Sequence, residues 1–211
     1  LSGCSEMCEV LACNSFIYNL HSYLPSMYST KIAGFLSFVG ACQFLMIMLV
    51  CEALYPGYSI SENMISDLGM GRTAGLFNSS IMLLGAMIIL SAISFHSFHG
   101  NRLFSILMVL TGAGAMGVGI FPENIRPIHE ICAGVTFFSG GLSEMLSFFL
   151  IRFPMSMIAA LLGGITLGCL ALFVLGNNLG LGPGGIEKMI VYPMILWGAG
   201  FGGYLMASER R

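Results

Sequence analysis

Apolar residues run along this chain in six long blocks, separated by short segments rich in Pro, Gly, Asn and charge. A bilayer core about 30 Å thick is crossed by roughly 20 helical residues rising 1.5 Å each. The blocks 32–54, 74–95, 103–121, 131–151, 155–175 and 189–207 meet that length. They predict an all-α integral membrane bundle of six transmembrane helices, a single domain over residues 31–208. Residues 1–30 are mixed in polarity, and the stretch begins at Leu1 without the basic start and small-residue exit of a secretory signal. They read as an upstream extension or an interfacial tail outside the fold. The tightest join is Ile151-Arg152-Phe153-Pro154. There Arg152 can reach back to the headgroups and Pro154 can open the next helix.

Composition identifies the solvent. The 211 residues are 56% hydrophobic and 9% charged, with a mean hydropathy of +0.88. A soluble domain carries about 25% charged residues, so lipid must wet most of this surface. The net charge of −2 and the lack of a Lys/Arg run argue against a nucleic-acid partner. Lys31, Arg102, Arg152, Arg210 and Arg211 fall on one side of the predicted spans, against Arg72, Arg126 and Lys188 on the other. The excess of positive charge marks the inside, so both termini are expected in the cytoplasm, as for a multi-pass protein of the cell membrane.

Glycine is abundant, at 28 residues. Gly164/Gly168, Gly198/Gly202, Ala113/Gly117 and Ala115/Gly119 have the small-xxx-small spacing that lets helices approach closely in lipid. Gly112-x-Gly114 has no strand before it, which speaks against a dinucleotide loop. Cys42, Cys51, Cys132 and Cys169 lie in apolar stretches and read as small buried hydrophobes. Cys51 and Cys132 fall near the same membrane face, where a disulfide is one option. Cys4, Cys8 and Cys13 match no familiar zinc spacing.

The unusual polar content gathers in the three outer connections, 55–73, 122–130 and 176–188. Function concentrates on loops held by a rigid scaffold. Ser66 and Asp67 precede the second span, where they can cap the helix or do chemistry. His129, before the fourth span, is either an interfacial side chain bonded to a loop carbonyl or a general base or metal ligand. Asn78 can bridge helices or orient a ligand, and Glu52 sits just inside the outer end of the first span. Glu144 lies roughly 20 Å along the fourth span, where an ionised side chain costs about 2.5–3.5 kcal/mol. It is therefore expected to face the bundle, to be protonated or to have a partner, for which Asn78, Ser139 and Ser143 are candidates. Glu123 and Glu130 read as solvated loop charges, Glu187-Lys188 as an interfacial anchor, and His96 and His99 as headgroup-level residues.

Tyr55-Pro56-Gly57-Tyr58, Ile65-Ser66-Asp67-Leu68-Gly69, Phe77-Asn78, Gly119-Ile120-Phe121-Pro122 and His129 stand in a characteristic order. From Lys31 to Ala207 the chain resembles the prokaryotic membrane family known as domain of unknown function 998. The I-S-D-x-G element is also distantly similar to the eukaryotic damage-regulated autophagy modulator group. The resemblance implies a six-helix membrane protein and no particular activity.

Two classes of function stay open. In one, the protein is non-catalytic, with a role in lipid or small-molecule binding, transport or assembly. Ser66, Asn78 and Glu52 are then ligand contacts. In the other it is a membrane-embedded lipid hydrolase or transferase, with Asp67 and His129 activating water or holding a metal, Glu144 or Glu52 handling protons and Asn78 orienting the substrate. That residue chemistry resembles ceramidase-like hydrolases, but the H-x3-H spacing of such zinc sites is absent. Metal and cofactor remain unassigned.

Overall fold

A computed structural model describes residues 29–208. The extension with Cys4, Cys8 and Cys13, and the terminal Arg210 and Arg211, lie outside the described residues. Six helices follow one another: α1 (Ser29–Leu54), α2 (Ala74–His99), α3 (Arg102–Ile120), α4 (Arg126–Ser147), α5 (Met155–Val174) and α6 (Gly182–Ala207). Two 3-10 turns, Ser66–Gly69 and Gly71–Thr73, interrupt the long α1–α2 connection. No strand occurs among the described residues.

Local chemistry sets several boundaries. Gly100, in the left-handed region at φ 64°, ends α2. Asn101 Oδ1 then accepts the Phe104 N–H at 3.0 Å and starts α3. Pro127 occupies the first turn of α4, where its missing N–H costs nothing. Pro154 stands one residue before α5, after a cis peptide bond from Phe153.

Five of the helices are long and apolar enough to cross a membrane; α4 has the length but not the composition. Its buried face consists of His129, Thr136, Ser139, Gly140, Gly141, Ser143, Glu144 and Ser147, while Ile131, Val135 and Phe138 point outward. Its outward face is thus largely apolar and its inward face polar.

Consecutive helices pack as neighbours, and α6 returns to α1. A Cβ on Gly34 would stand 2.6 Å from the Gly202 carbonyl, and one on Gly85 would stand 2.4 Å from that of Gly112. Gly119 likewise meets the Asn78 backbone, and Gly114 that of Cys132. Hydrogen bonds join α1 to α2: Ser37 with Ser91 at 2.8 Å, and Gln43 with Ser80 in both directions.

Several expectations are corrected here. Gly164 and Gly168 meet no other atoms, and it is Gly163 that packs on Glu144 and Met145. Pair spacing selects a helix face but does not say which face meets protein. Cys42, Cys51, Cys132 and Cys169 are free thiols, in keeping with their reading as small hydrophobes, but only Cys51 is buried and the other three are half-buried. Helix α6 starts at Gly182 rather than 189, because the glycines of G-P-G-G accept the α1–α2 connection at close range. A Cβ at Gly184 would fall 2.0 Å from the Asn63 carbonyl.

Candidate functional site

The α1–α2, α3–α4 and α5–α6 connections share one end of the bundle, the upper end. Beneath them lies a cavity of about 110 Å³, lined by α1, α2, α3, α4 and α6 and the turn at Ile65-Ser66, with no residue from α5. Phe44, Phe77, Ile81, Val118 and Ile195 are among its apolar walls. Ser66 enters it from the α1–α2 connection, His129 from the first turn of α4 and Glu187 from the second turn of α6, and Ser143, Glu144 and Thr111 line it deeper down. The aromatic cluster Phe95, Phe104, Trp197 and Phe201 packs at the lower end.

The α1–α2 connection is strapped over the upper end by two neighbours on α6. Lys188 is buried, and its Nζ donates to Tyr58 Oη at 2.8 Å and to the carbonyls of Ile60 and Asn63 at 3.3 Å each. Glu52 Oε1 lies 3.8 Å from the same ammonium. Burial and the adjacent Glu52 carboxylate push the Tyr58 phenol well above its ordinary range, so it stays protonated. Glu187, also buried, accepts the Ile65 N–H. The pair is therefore a buried clasp, not an interfacial anchor. The charges hold the backbone of a turn that has no sheet or helix to satisfy it.

Ser66 and Asp67 do not cap α2. Its N-cap is Thr73, with no side-chain cap bond, and the Thr73 hydroxyl donates to the Leu68 carbonyl at 2.7 Å. Asp67 Oδ2 instead accepts from Asn63 Nδ2 at 3.1 Å and from the Met64 N–H at 3.0 Å. Asn78 Nδ2 donates to the Gly69 carbonyl at 3.1 Å, pinning the S-D-L-G turn to α2. Asn78 and Glu52 thus hold the connections and do not line the cavity.

Glu123, read from sequence as solvated, brings its carboxyl beside Asp67 and Ser66 and within electrostatic reach of His129. Burial pushes its proton affinity up, and the Asp67 carboxylate adds to this; Ser66 and His129 act the other way. Beside the Asp67 carboxylate, the Glu123 carboxyl therefore keeps its proton to higher pH than an ordinary carboxyl. Arg126, largely exposed, stands 3.9 Å from Glu123. Glu130 is exposed, as expected. His129 Nδ1 lies 2.8 Å from the Phe121 carbonyl. A carbonyl only accepts, so Nδ1 is the donor here, and in the neutral ring Nε2 is the acceptor. Among the described residues no three His, Cys, Asp or Glu side chains converge as a metal-ligand set.

Glu144 finds neither Asn78 nor a serine as its partner. Its Oε2 accepts from Thr166 Oγ1 of α5 at 3.1 Å.

The raised proton affinity of Glu123 predicts a pH dependence. Stability from the protonated carboxyl is complete below the ordinary carboxylate range and is lost as pH rises through its elevated folded value. Unfolding scans across mildly acidic pH are expected to show wild type losing stability upward. Glu123→Gln should flatten that slope, and identical slopes would refute the pairing.

Neither a curated protein nor a solved structure matches the chain. One family model does, over residues 38–203. With its apolar helices and buried polar stripe, this multi-pass membrane protein belongs to the family described as protein of unknown function (DUF998).

Proposed function

We propose that the protein is a lipid-binding protein of a cell membrane. All six helices cross the bilayer, α4 included, since its polar stripe is turned inward and its lipid face is apolar. Both ends of the chain lie in the cytoplasm and the upper end faces outward. Lys31, Arg102 and Arg152 flank the lower end, whereas Lys188 of the upper tally is committed inside the bundle. An amphiphile enters at the upper end. Part of its chain lies among Phe44, Phe77 and Ile81, and its head meets Ser66, His129 and Glu187.

The cavity carries this reading. Its walls are largely apolar, with a minority of polar groups such as His129, Thr136 and Ser143, the usual make-up of a small-molecule site. Its volume approaches the ~150 Å³ of apolar cavities that accept benzene, room for a segment of chain. Ala115 is buried and lines the cavity, so Ala115→Phe fills it. Mass spectrometry of lipid co-purified with the detergent-extracted protein is expected to show the bound species lost in this variant. A thermal unfolding midpoint near wild type would establish that it folds. Full retention of the same lipid by the folded variant would overturn the proposal.

A second reading, hydrolysis or group transfer at the lipid head, is favoured by His129 and the Asp67–Glu123 pair. His129 Nε2 accepts a proton from water or a hydroxyl, and the protonated carboxyl gives one to the leaving group. Turnover of an ester or phosphoester lipid is then expected to fall at least 100-fold in His129→Gln and in Asp67→Asn. Unchanged turnover in both would leave only the binding role.

A further inference from the structure

Glu144, deep in the cavity wall, has half of its carboxyl unspent. The residue is 0% exposed; Oε2 accepts from Thr166, and Oε1 has no hydrogen-bond partner. The hydroxyl protons around it are already committed. Ser143 donates to the Ser139 carbonyl at 2.9 Å, Thr111 to that of Leu107 at 2.8 Å, and Ser147 to that of Glu144 itself at 2.6 Å. Trp197 Nε1 donates to Ser147 Oγ at 3.0 Å. Ser143 and Thr111 therefore offer the cavity lone pairs rather than protons, and so does an ionised Glu144. Buried polar groups in native structures are normally paired, and an orphan calls for an explanation.

We propose that Glu144, with Ser143 and Thr111, forms a second polar subsite that receives the O–H or N–H end of an amphiphile whose chain fills the cavity. This rests on the lipid-binding reading and adds a chemical class to it: a chain ending in a hydroxyl or a primary amine. A hydroxyl donates one proton to the carboxylate and can accept from a neighbour. An ammonium also supplies the counter-charge that a carboxylate at this depth otherwise lacks. A plain hydrocarbon end does neither.

The test uses the full chain in detergent micelles with decane, 1-decanol and decylamine as probes, each corrected for partitioning into empty micelles. Decanol and decylamine are expected to bind about tenfold or more tighter than decane, as pairing one buried, otherwise unsatisfied carboxyl oxygen implies. Glu144→Leu should abolish the preference while retaining decane. Equal binding of all three probes by wild type, or a preference that survives Glu144→Leu, would overturn the subsite and leave the cavity reading intact. Binding of none would overturn both. If Glu144→Leu does not fold, Glu144→Gln decides in its place, because a wild-type preference alone would not separate Glu144 from Ser66, His129 and Glu187. Glu144→Gln, which keeps the volume and an acceptor for Thr166, should then lose decylamine more than decanol.

Discussion

Replacing Lys188 with methionine is expected to lower stability by about 3–5 kcal/mol, the cost of leaving a buried partner charge uncompensated. The lost ammonium orphans the Glu52 carboxylate at 3.8 Å and removes the donor to the Ile60 and Asn63 carbonyls. It also removes the cation 4.9 Å above the Tyr58 ring. Chemical unfolding in detergent measures the loss, and limited proteolysis should reveal new cuts between residues 55 and 73. Lys188→Met with Glu52→Gln is expected to recover part of the deficit, since the second change removes the stranded charge. Arginine is not a substitute, because its planar fork cannot reproduce three divergent donors in the same space. A Lys188→Met protein within about 0.5 kcal/mol of wild type, the range of ordinary surface changes, would show that the clasp holds nothing.

The second large effect concerns which glycines touch protein. Gly85→Ala is expected to destabilise by about 1–3 kcal/mol, because its methyl would meet backbone that cannot rotate away. Gly34→Ala should behave alike, with the Gly202 carbonyl 2.6 Å from the added carbon. Gly164→Ala meets nothing and should be neutral or up to about 1 kcal/mol stabilising, the helix-propensity gain. Thermal midpoints of the three variants in one detergent decide the matter. Equal losses at Gly85 and Gly164 would contradict the packing.

These glycines also mark how far the chain could be read unaided. Six apolar blocks locate six helices because length and hydropathy are local properties, and the boundaries of α2, α3 and α5 follow closely at one end or both. The start of α6 was hidden because Gly182-Pro183-Gly184-Gly185 has the composition of a loop. The reason for glycine there is the carbonyl of Asn63, about 120 residues earlier. Asp67 and His129 stood out as ionisable residues beside spans. Glu123, which links them, did not, since a carboxylate in a short polar turn is usually solvated. The available signal was its place between Pro122 and His129, where the connection is too short to swing clear. Lys188 offered a better one: paired charges within two turns of a helix-opening proline, on a segment that is otherwise apolar.

The position of α5 outside the ring of cavity-lining helices bears on biogenesis. α4 is the helix least able to rest alone in lipid, with Glu144 and a row of hydroxyls along one side. The next helix to emerge from the ribosome is α5, after a link of only seven residues, 148–154. It brings Thr166 to the Glu144 carboxyl and lays Gly163 against the α4 backbone. If all six helices cross the bilayer as proposed, insertion of α4 is completed by the helix made after it, and a chain truncated before Met155 would leave that polar stripe half uncovered.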